Sequence, residues 1–486
     1  MSHFRHNKCL SLPSETEHQK TTMKKKQYLI TYCMAALALL TSPTALQAQY
    51  VSNDDDDSDN SHERQAVRAY VKDGKLHFAT RNENFHWWLD NRIYLDAAGY
   101  LPTEGVSGLS SKANKDLEGD DGKFRFSNGA IVRRARMAIK AELYKKWFAE
   151  FDLDYAYNEL DIKDMYLGYR FNDRLWIKAG QFKEPMSMES TTSSRYLQSV
   201  ERPMPVDIFA SGRHLGASLT AWGKHWWASG GVFGSQVDLI QKERNRGNDG
   251  YAFTGRVAIT PVQNEETTIH LGGYATYRTP DANGSENRMV EFRGLPESEV
   301  DHRRFVDAEI ENVNHYYTLG YELAFRHRKW LLFGEYLFTG VSRYGLNGTQ
   351  RYSLKNATFN GWYAKASYMI LGEARQYAPD EAEFGPMPVT RKGGNLELTA
   401  HFSTVNLNDF HDARAVITGG KAKAYSVSLN WYPRTNLMLG LNYTFMDNDK
   451  YADAKGHITA DGKPLSQVRP DGLDFSILQT RLMLSF

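Results

Sequence analysis

Polar and apolar side chains alternate with a period of two along the last thirteen residues, 474–486. Leu478 and Phe486 lie on one face of this segment, and Gln479 and Arg481 lie on the other. A strand with one apolar and one polar face suits a wall between lipid and water. A half-buried strand of a soluble sheet has the same pattern, so this segment alone leaves both alternatives open.

The same alternation recurs along the chain from Phe85 onward. The runs cover about 10–14 residues, whereas strands of soluble sheets average about 5–6 and a tilted membrane crossing needs about 9–11. Sixteen runs begin near residues 85, 130, 147, 161, 174, 213, 225, 251, 267, 313, 329, 358, 394, 421, 435 and 474. An even number of strands can close an up-and-down barrel, and about sixteen leave an aqueous channel. The pattern therefore predicts an all-β fold, a transmembrane 16-stranded antiparallel up-and-down β-barrel.

The connections between these runs are short and long by turns. Short turns at 144–146, 172–173, 328–329 and 433–434 are predicted to face the periplasm. We expect the long polar connections to face outward or to fold inward: 98–128, 183–212, 280–312, 344–357, 373–393 and 447–473.

The turn at 144–146 predicts the register of the second and third barrel strands. A three-residue turn places Lys140 opposite Glu150 and Arg136 opposite Asp154, with both pairs inside the barrel. A two-residue turn would set apolar residues opposite charged ones, which the lipid would penalise.

Composition excludes a helical membrane protein. The mean hydropathy is −0.57, and no stretch of the mature chain has the about 20 apolar residues that a membrane helix needs. A barrel is compatible with this value, because only every second residue of a wall strand meets lipid. Aromatic residues make up 13% of the chain, which fits interfacial girdles but is also found in large soluble all-β proteins.

The amino terminus predicts export. Three lysines follow Met23, and an apolar run then leads to small residues and a cleavage position after Ala48. We therefore divide the chain into an upstream start that is not native (1–22), a signal peptide (23–48), an acidic flexible tail with a short periplasmic segment (49–84) and an outer-membrane β-barrel (85–486).

Removal of residues 1–48 changes both the cysteine content and the charge. Cys9 and Cys33 both lie in the removed part, so no disulfide is expected in the mature chain. The 59 basic and 58 acidic residues lose six and two members, which leaves 53 and 56 and a net charge of −3. A net acidic chain gives no reason to expect nucleic acid as a partner.

Several motifs together resemble one family, the phosphate-selective porins O and P of Gram-negative outer membranes. Val132–Arg136 (VRRAR) resembles the double-arginine strand of that family. Its strand-to-constriction-loop signature is similar to Gly180–Pro185 (GQFKEP), 192–196 and 201–202, and its carboxy-terminal half is similar to 360–363, 371–373 and 429–433. The terminal Phe486 also resembles the ending of outer-membrane barrels that the barrel-assembly machinery reads.

This resemblance implies a homotrimeric outer-membrane porin, a passive diffusion channel for small inorganic anions such as phosphate or polyphosphate. The long loop 183–212 would fold into the lumen and narrow it, and the outer wall would contact lipid and lipopolysaccharide. Family members bind phosphate there through arginines and serine hydroxyls. Matched position by position, these residues are Arg92, Arg134, Ser193, Ser194 and Arg202, with Arg293 and either Arg303 or Arg304 as looser matches. No cofactor and no metal are expected.

Two positions depart from the family pattern. Ser190 stands where phosphate-specific members place a lysine in the constriction loop, and Lys163, beside Asp164, stands where they place an acidic residue. We therefore expect phosphate to bind more weakly than in those members.

Arginine chemistry supports an anion site independently. A guanidinium stays charged at any working pH and meets two oxyanion oxygens with its planar fork. Alternation places Arg92, Arg134, Arg136, Arg256, Arg278 and Lys365 toward the lumen. With Arg136 added, the predicted anion-binding residues are Arg92, Arg134, Arg136, Ser193, Ser194, Arg202, Arg293 and Arg304. The same alternation also turns nine acidic residues inward: Asp90, Asp96, Glu150, Asp152, Asp154, Asp164, Glu322, Glu335 and Glu397. Inward charges that merely solvate the wall are therefore the alternative to a functional arginine cluster.

Other functions remain as alternatives to an anion channel. One is a general or other-solute porin, and another is a structural component of an outer-membrane complex without anion selectivity. Glu397, His401 and Ser403 share a lumen-facing side, but no nucleophile motif or metal-ligand spacing accompanies them. We therefore do not expect an enzyme.

Overall fold

The computed structural model describes most of the chain beyond residue 65. The described residues are 66–102, 126–237, 249–282, 288–385, 387–452 and 474–486. The predicted upstream start (1–22), the signal peptide (23–48) and the acidic run near residue 55 lie outside these residues.

Two short strands precede the barrel, β1 (Val67–Lys72) and β2 (Lys75–Thr80), and a third, β3 (Phe85–Leu89), pairs with the wall strand β5 (Gly129–Leu143). Strand β1 pairs with β2, and β2 pairs with β3, both antiparallel. The described part of the segment predicted to be periplasmic is thus a hairpin added to the edge of β3.

Sixteen longer strands form one closed antiparallel barrel. They are β4 (Arg92–Pro102), β5 (Gly129–Leu143), β6 (Trp147–Asp154), β7 (Asp161–Asn172), β8 (Leu175–Lys183), β9 (Arg213–Trp222), β10 (Trp226–Phe233), β11 (Ala252–Gln263), β12 (Thr267–Arg278), β15 (Val313–His327), β16 (Trp330–Asn347), β18 (Ala357–Leu371), β21 (Asn395–Asp409), β22 (Ile417–Arg434), β23 (Leu437–Asn448) and β24 (Phe475–Ser485). Each strand pairs with the next, and β24 pairs with β4 to close the wall. The predicted fold class and strand number are confirmed.

The other elements lie in the connections. They are β13 (Val290–Gly294), β14 (Val306–Ile310), β17 (Gln350–Ser353), β19 (Tyr377–Ala378), β20 (Glu383–Phe384), two short helices, α1 (Met188–Thr191) and α2 (Met204–Phe209), and 3₁₀ turns at Ala156–Asn158 and Ser194–Tyr196.

The wall strands alternate as the sequence predicts. On β11, Phe253, Val257 and Ile259 point outward and are 51–60% exposed, whereas Thr254 and Arg256 point inward and are buried. A continuous exposed apolar surface of this kind is stable in lipid and costly in water. Among the described residues, no helix combines the length and the hydropathy needed to span a membrane.

The connections differ between the two ends of the barrel. The short turns, such as 144–146, join strands at the end where β24 finishes, which in barrels of this class faces the periplasm. One long connection, 372–394, joins β18 to β21 at this same end. It folds inward, because Trp227 Nε1 donates to the Asp380 carbonyl at 2.8 Å and Arg256 donates to the Ala382 carbonyl at 2.6 Å.

The loop 183–212 folds into the lumen, as the resemblance implies. Wall carboxylates hold the start of α1: the amide of Met188 donates to Glu322 at 2.9 Å, and the amide of Glu189 donates to Glu335 at 2.8 Å. Acidic groups at a helix amino terminus satisfy its free N–H groups. The Glu189 carboxylate in turn pairs with Lys365 of β18 at 2.6 Å.

Apolar packing holds the second half of the loop. Met204, Val206 and Phe209 of α2 are at most 4% exposed and belong to one buried cluster with Phe292 of β13 and Phe359 of β18. Each such side chain contributes roughly 1.5–3 kcal/mol when it is fully buried. The infolded loop is therefore part of the core inside the barrel and positions the residues that it carries.

Candidate functional site

A cavity of about 470 Å³ lies between the infolded loop and the wall strands β3 to β11. Six of the eight predicted anion-binding residues line it: Arg92, Arg134, Arg136, Ser193, Ser194 and Arg202. The structure places the other two elsewhere. Arg293 lies on β13 and pairs with Glu291 at 2.5 Å, and Arg304 is exposed. Both were expected at the anion site only because the connection between β12 and β15 matches the family pattern loosely.

The pairing of β4 with β5 brings the arginines together. Arg92 lies opposite Arg136, and Tyr94 lies opposite Arg134. The register then shifts by one residue, so that Leu95 lies opposite Val132 and Arg133 is the extra residue of a bulge.

The predicted register of β5 and β6 is confirmed. Arg136 lies opposite Asp154 with an ion pair at 2.8 Å, and Lys140 lies opposite Glu150 with an ion pair at 3.0 Å. These basic groups are neutralised by acidic groups across the rung, so pairing removes much of their attraction for a solute.

Arg134 is different. Among the described residues, no carboxylate lies within ion-pair distance of its guanidinium, and its buried Nε has no hydrogen-bond partner. The guanidinium carbon lies 5.7 Å from the centre of the Tyr94 ring. Arg92 has a similar free Nε, and its carboxylate neighbours Asp90 and Asp152 are distant, at 3.9 and 4.0 Å. Buried donors without acceptors are rare in proteins, so the described residues do not fully satisfy either guanidinium.

Arg202 and Lys183 face the cavity from the side of the loop. Arg202 donates to the carbonyls of Glu189 at 2.9 Å and Thr192 at 2.6 Å, and Lys183 donates to the carbonyl of Ser190 at 2.6 Å. Cations commonly stabilise the carbonyls at the end of a helix. The partners are carbonyls and not carboxylates, so neither side chain is held in an ion pair by these contacts. The sequence interpretation missed Lys183, although it lies inside the quoted loop signature.

Of the two predicted serines, Ser194 contacts the wall through Tyr94. Ser194 Oγ lies 3.2 Å from the hydroxyl of Tyr94, and the guanidinium of Arg134 lies over the ring of the same tyrosine. Lys163, the second departure from the family pattern, pairs with Asp161 and is not among the residues that line the cavity. Its neighbour Asp164 does line the cavity and pairs with Arg213 at 2.7 Å.

The cavity carries more basic than acidic groups. Ten basic residues line it, namely Arg92, Arg134, Arg136, Lys140, Arg170, Lys178, Lys183, Arg202, Arg213 and Arg256, against seven acidic residues, Glu142, Glu150, Asp152, Asp164, Asp380, Glu381 and Glu383. Burial, together with the neighbouring carboxylate of Glu381, raises the pKa of the Glu383 carboxyl to about 8. Glu383 is therefore mostly neutral at pH 7 and adds little negative charge to the cavity.

A second network that the sequence interpretation missed anchors the loop. Glu201 accepts from Arg133 and from Arg481, each at 2.7 Å, and Arg481 also pairs with Asp96 at 2.6 Å. Burial alone raises the pKa of the Glu201 carboxyl, but the guanidiniums of Arg133 and Arg481 outweigh it and hold this pKa well below its usual range. The loop is thereby tied to β5 and β24.

The predicted trio of Glu397, His401 and Ser403 is divided in the structure. Glu397 pairs with Arg375 at 2.6 Å. His401 Nε2 and Ser403 Oγ instead contact the Glu297 carboxylate of the connection between β12 and β15, at 2.7 and 2.6 Å.

Ser199, His401 and Glu297 form a continuous chain of hydrogen bonds. Ser199 Oγ lies 3.0 Å from His401 Nδ1, so serine, histidine and Glu297 follow one another as in a hydrolase. All three are at most 5% exposed, and none of them lines the cavity. This chain of hydrogen bonds therefore joins two infolded connections to the wall.

Comparisons with known proteins agree with this architecture. The family model for phosphate-selective porin O and P matches residues 112–486. Porin O of Pseudomonas aeruginosa is 21% identical over 420 residues, which cover 80% of this chain and 89% of that protein.

Three solved structures are also similar. The outer membrane channel DcaP of Acinetobacter baumannii is 12% identical, covering 84% of this chain and 99% of its own, with a TM-score of 0.49. The anion-selective porin from Comamonas acidovorans is 13% identical, covering 83% and 100%, with a TM-score of 0.44. The trimer form of OmpT from Vibrio cholerae is 8% identical, covering 83% and 99%, with a TM-score of 0.45.

Proposed function

This chain belongs to the phosphate-selective porin O and P family, and on that premise we propose that phosphate is the anion bound in its lumen. The protein is an outer-membrane β-barrel porin, a passive channel for small anions. The observation that carries the proposal is Arg134, a buried cation in the cavity whose described neighbours include no carboxylate partner.

The cavity can bind an anion from two sides. The guanidinium donors of Arg134 and Arg92 line it from the wall, where no described carboxylate lies closer than 3.9 Å to either of them, and Arg202 and Lys183 line it from the loop. A phosphate that enters would exchange part of its hydration shell for these donors. Charge-assisted hydrogen bonds of this kind are each worth about 1.5–3 kcal/mol. Passage also requires release, so binding must be weak enough for the anion to leave.

Phosphate affinity is set in part by Ser190. This residue lies at the end of α1, where its carbonyl accepts from the Lys183 ammonium. The Lys183 side chain therefore already lies beside the position at which phosphate-specific relatives carry a lysine. We expect phosphate to bind, but more weakly than in those relatives.

The test is a conductance measurement on the purified protein in planar bilayers. We expect a reversal potential under a potassium chloride gradient that shows preference for chloride over potassium. Added phosphate should reduce the chloride current in a saturable manner. A reversal potential near zero and no block by phosphate would instead favour the general porin, for which the seven acidic lining residues are the supporting observation.

The assembly is proposed on the family resemblance. We expect a homotrimer, which native mass spectrometry of the detergent-purified protein can test. The predicted contacts with lipid, with lipopolysaccharide and with the barrel-assembly machinery likewise stay predictions.

A further inference from the structure

The cavity has a second cluster that the arginine site does not use. Trp88, Phe148, Tyr166 and Trp176 line it together with Lys178, and we name these five residues the aromatic basin. Phe148 lies opposite Glu142 on β5, six residues along the chain from the rung of Arg136 and Asp154, on the side of the short turn 144–146. The basin is thus nearer to the periplasmic end than Arg134 and Arg136 are.

Lys178 is surrounded by rings. Its Nζ lies 4.9 Å from the ring centre of Tyr166, 5.6 Å from that of Trp176 and 6.0 Å from that of Phe148. Among the described residues, no carboxylate forms an ion pair with it. The faces of aromatic rings stabilise a cation without cancelling its charge. Lys178 therefore keeps a net positive charge that can attract an anion.

The rings are built into the wall at defined positions. Phe148 lies opposite Gly168 on β7, and a Cβ at Gly168 would come within 2.2 Å of the tip of the Phe148 ring, so the glycine leaves the space that this ring fills. Trp88 stacks on His86, with ring centres 4.9 Å apart and planes 27° apart, and still lines the cavity.

These rings are not the girdle that faces lipid. On the same strand as Phe148, Trp147 points outward with 42% of its surface exposed, and Phe171 near the end of β7 is 52% exposed. The outer wall therefore has its own aromatic residues at this end. The inner rings line the cavity and contact one another, since the ring centre of Phe148 lies 6.2 Å from that of Tyr166 and 5.9 Å from that of Trp176.

We propose that the aromatic basin binds organic phosphates that carry a planar ring, such as aryl or nucleoside monophosphates. This inference rests on the proposed anion channel and names a solute class for it. The ammonium of Lys178 lies within about 6 Å of three ring centres, so a solute with a phosphate next to a ring contacts both at once. Inorganic phosphate can use only the ammonium. The cavity volume of about 470 Å³ falls in the range that holds small organic molecules.

The test compares three blockers of the chloride current through the purified protein: inorganic phosphate, methyl phosphate and phenyl phosphate. The two esters have the same charged group and differ in the ring. One aromatic contact is worth a factor of about three to ten in binding. We therefore expect phenyl phosphate to have a dissociation constant about three to ten times lower than that of methyl phosphate.

Substitutions locate the effect. Trp88→Leu and Phe148→Leu should each bring the ratio of the two dissociation constants toward one. Trp147→Leu, which removes an outward-facing ring, should leave the ratio unchanged. Equal dissociation constants for the two esters in the unsubstituted protein overturn the proposal without any variant. A ratio that persists in both lumen variants overturns it as well.

The outcome for inorganic phosphate separates this inference from the proposed function. If inorganic and methyl phosphate fail to block while phenyl phosphate blocks, the phosphate site at the arginines is refuted and the aromatic basin is supported. If all three block equally, the arginine site is supported and the basin is refuted.

Discussion

Replacing Arg134 with alanine removes the one lining cation that lies buried beside the Tyr94 ring with no carboxylate partner among its described neighbours. Loss of one charge-assisted hydrogen bond to phosphate costs about 1.5–3 kcal/mol. At about 1.4 kcal/mol for each factor of ten, block by phosphate should weaken roughly tenfold to a hundredfold. The preference for anions over cations should fall as well.

Folding should tolerate this change. Removing one partner of a buried ion pair leaves an uncompensated charge and is strongly destabilising, but Arg134 leaves no such partner among the described residues. Arg134→Ala should therefore appear in outer membranes at normal levels and keep the heat-dependent mobility of a folded barrel. Conductance changes can then be attributed to the cavity.

The assay is the reversal potential under a potassium chloride gradient, followed by titration of phosphate against the chloride current. Arg326→Ala is the matched control, because Arg326 is also buried on the inner wall and bonds to the Asn264 carbonyl at 2.8 Å, but it does not line this cavity. If both substitutions change the reversal potential equally, or if Arg134→Ala changes nothing, the arginines merely solvate the wall and the reasoning is refuted.

Four further predictions concern other parts of the molecule. Deleting Phe486 should slow or prevent insertion, and normal amounts of heat-modifiable barrel in outer membranes would contradict this. Lys140→Ala should lower the free energy of unfolding by about 0.2–1 kcal/mol through loss of the partly exposed pair with Glu150, measured by urea denaturation in detergent. Ser190→Lys should lower the dissociation constant of phosphate, and an unchanged or weaker block would count against the carried-over role of this position. The Glu383 carboxyl, with its pKa raised to about 8, is neutral below that pH and negative above it. Anion preference should therefore fall as pH rises through about 8, and Glu383→Gln should abolish this step.

Local pattern was sufficient for the barrel itself. Alternation with a period of two marks the two faces of every wall strand, because successive side chains of a strand point to opposite sides. The start of the third strand at Trp147, together with the end of the second at Leu143, sets the register that pairs Lys140 with Glu150. Turn length and face polarity are both properties of neighbouring residues, so the sequence alone determined them.

Local pattern was also sufficient for part of the site. Arg92, Arg134 and Arg136 occupy inward positions of adjacent strands, and the loop signature identified Arg202. Alternation could not place Arg133, because the bulge opposite Leu95 adds a residue to β5 and shifts the alternation by one. Arg133 thus turns inward to Glu201, a contact that depends on where the loop lies.

The tertiary structure alone decided which charges are free. Arg136 and Arg134 are two residues apart on one face, yet Asp154 neutralises the first, and no described carboxylate reaches the second. The difference depends on residues from other strands and from the infolded loop, which approach only when the barrel closes. Coulomb and hydrogen-bond energies fall steeply with distance. A sequence can therefore supply the charges of an anion channel, but only the folded chain decides which of them remain for the anion.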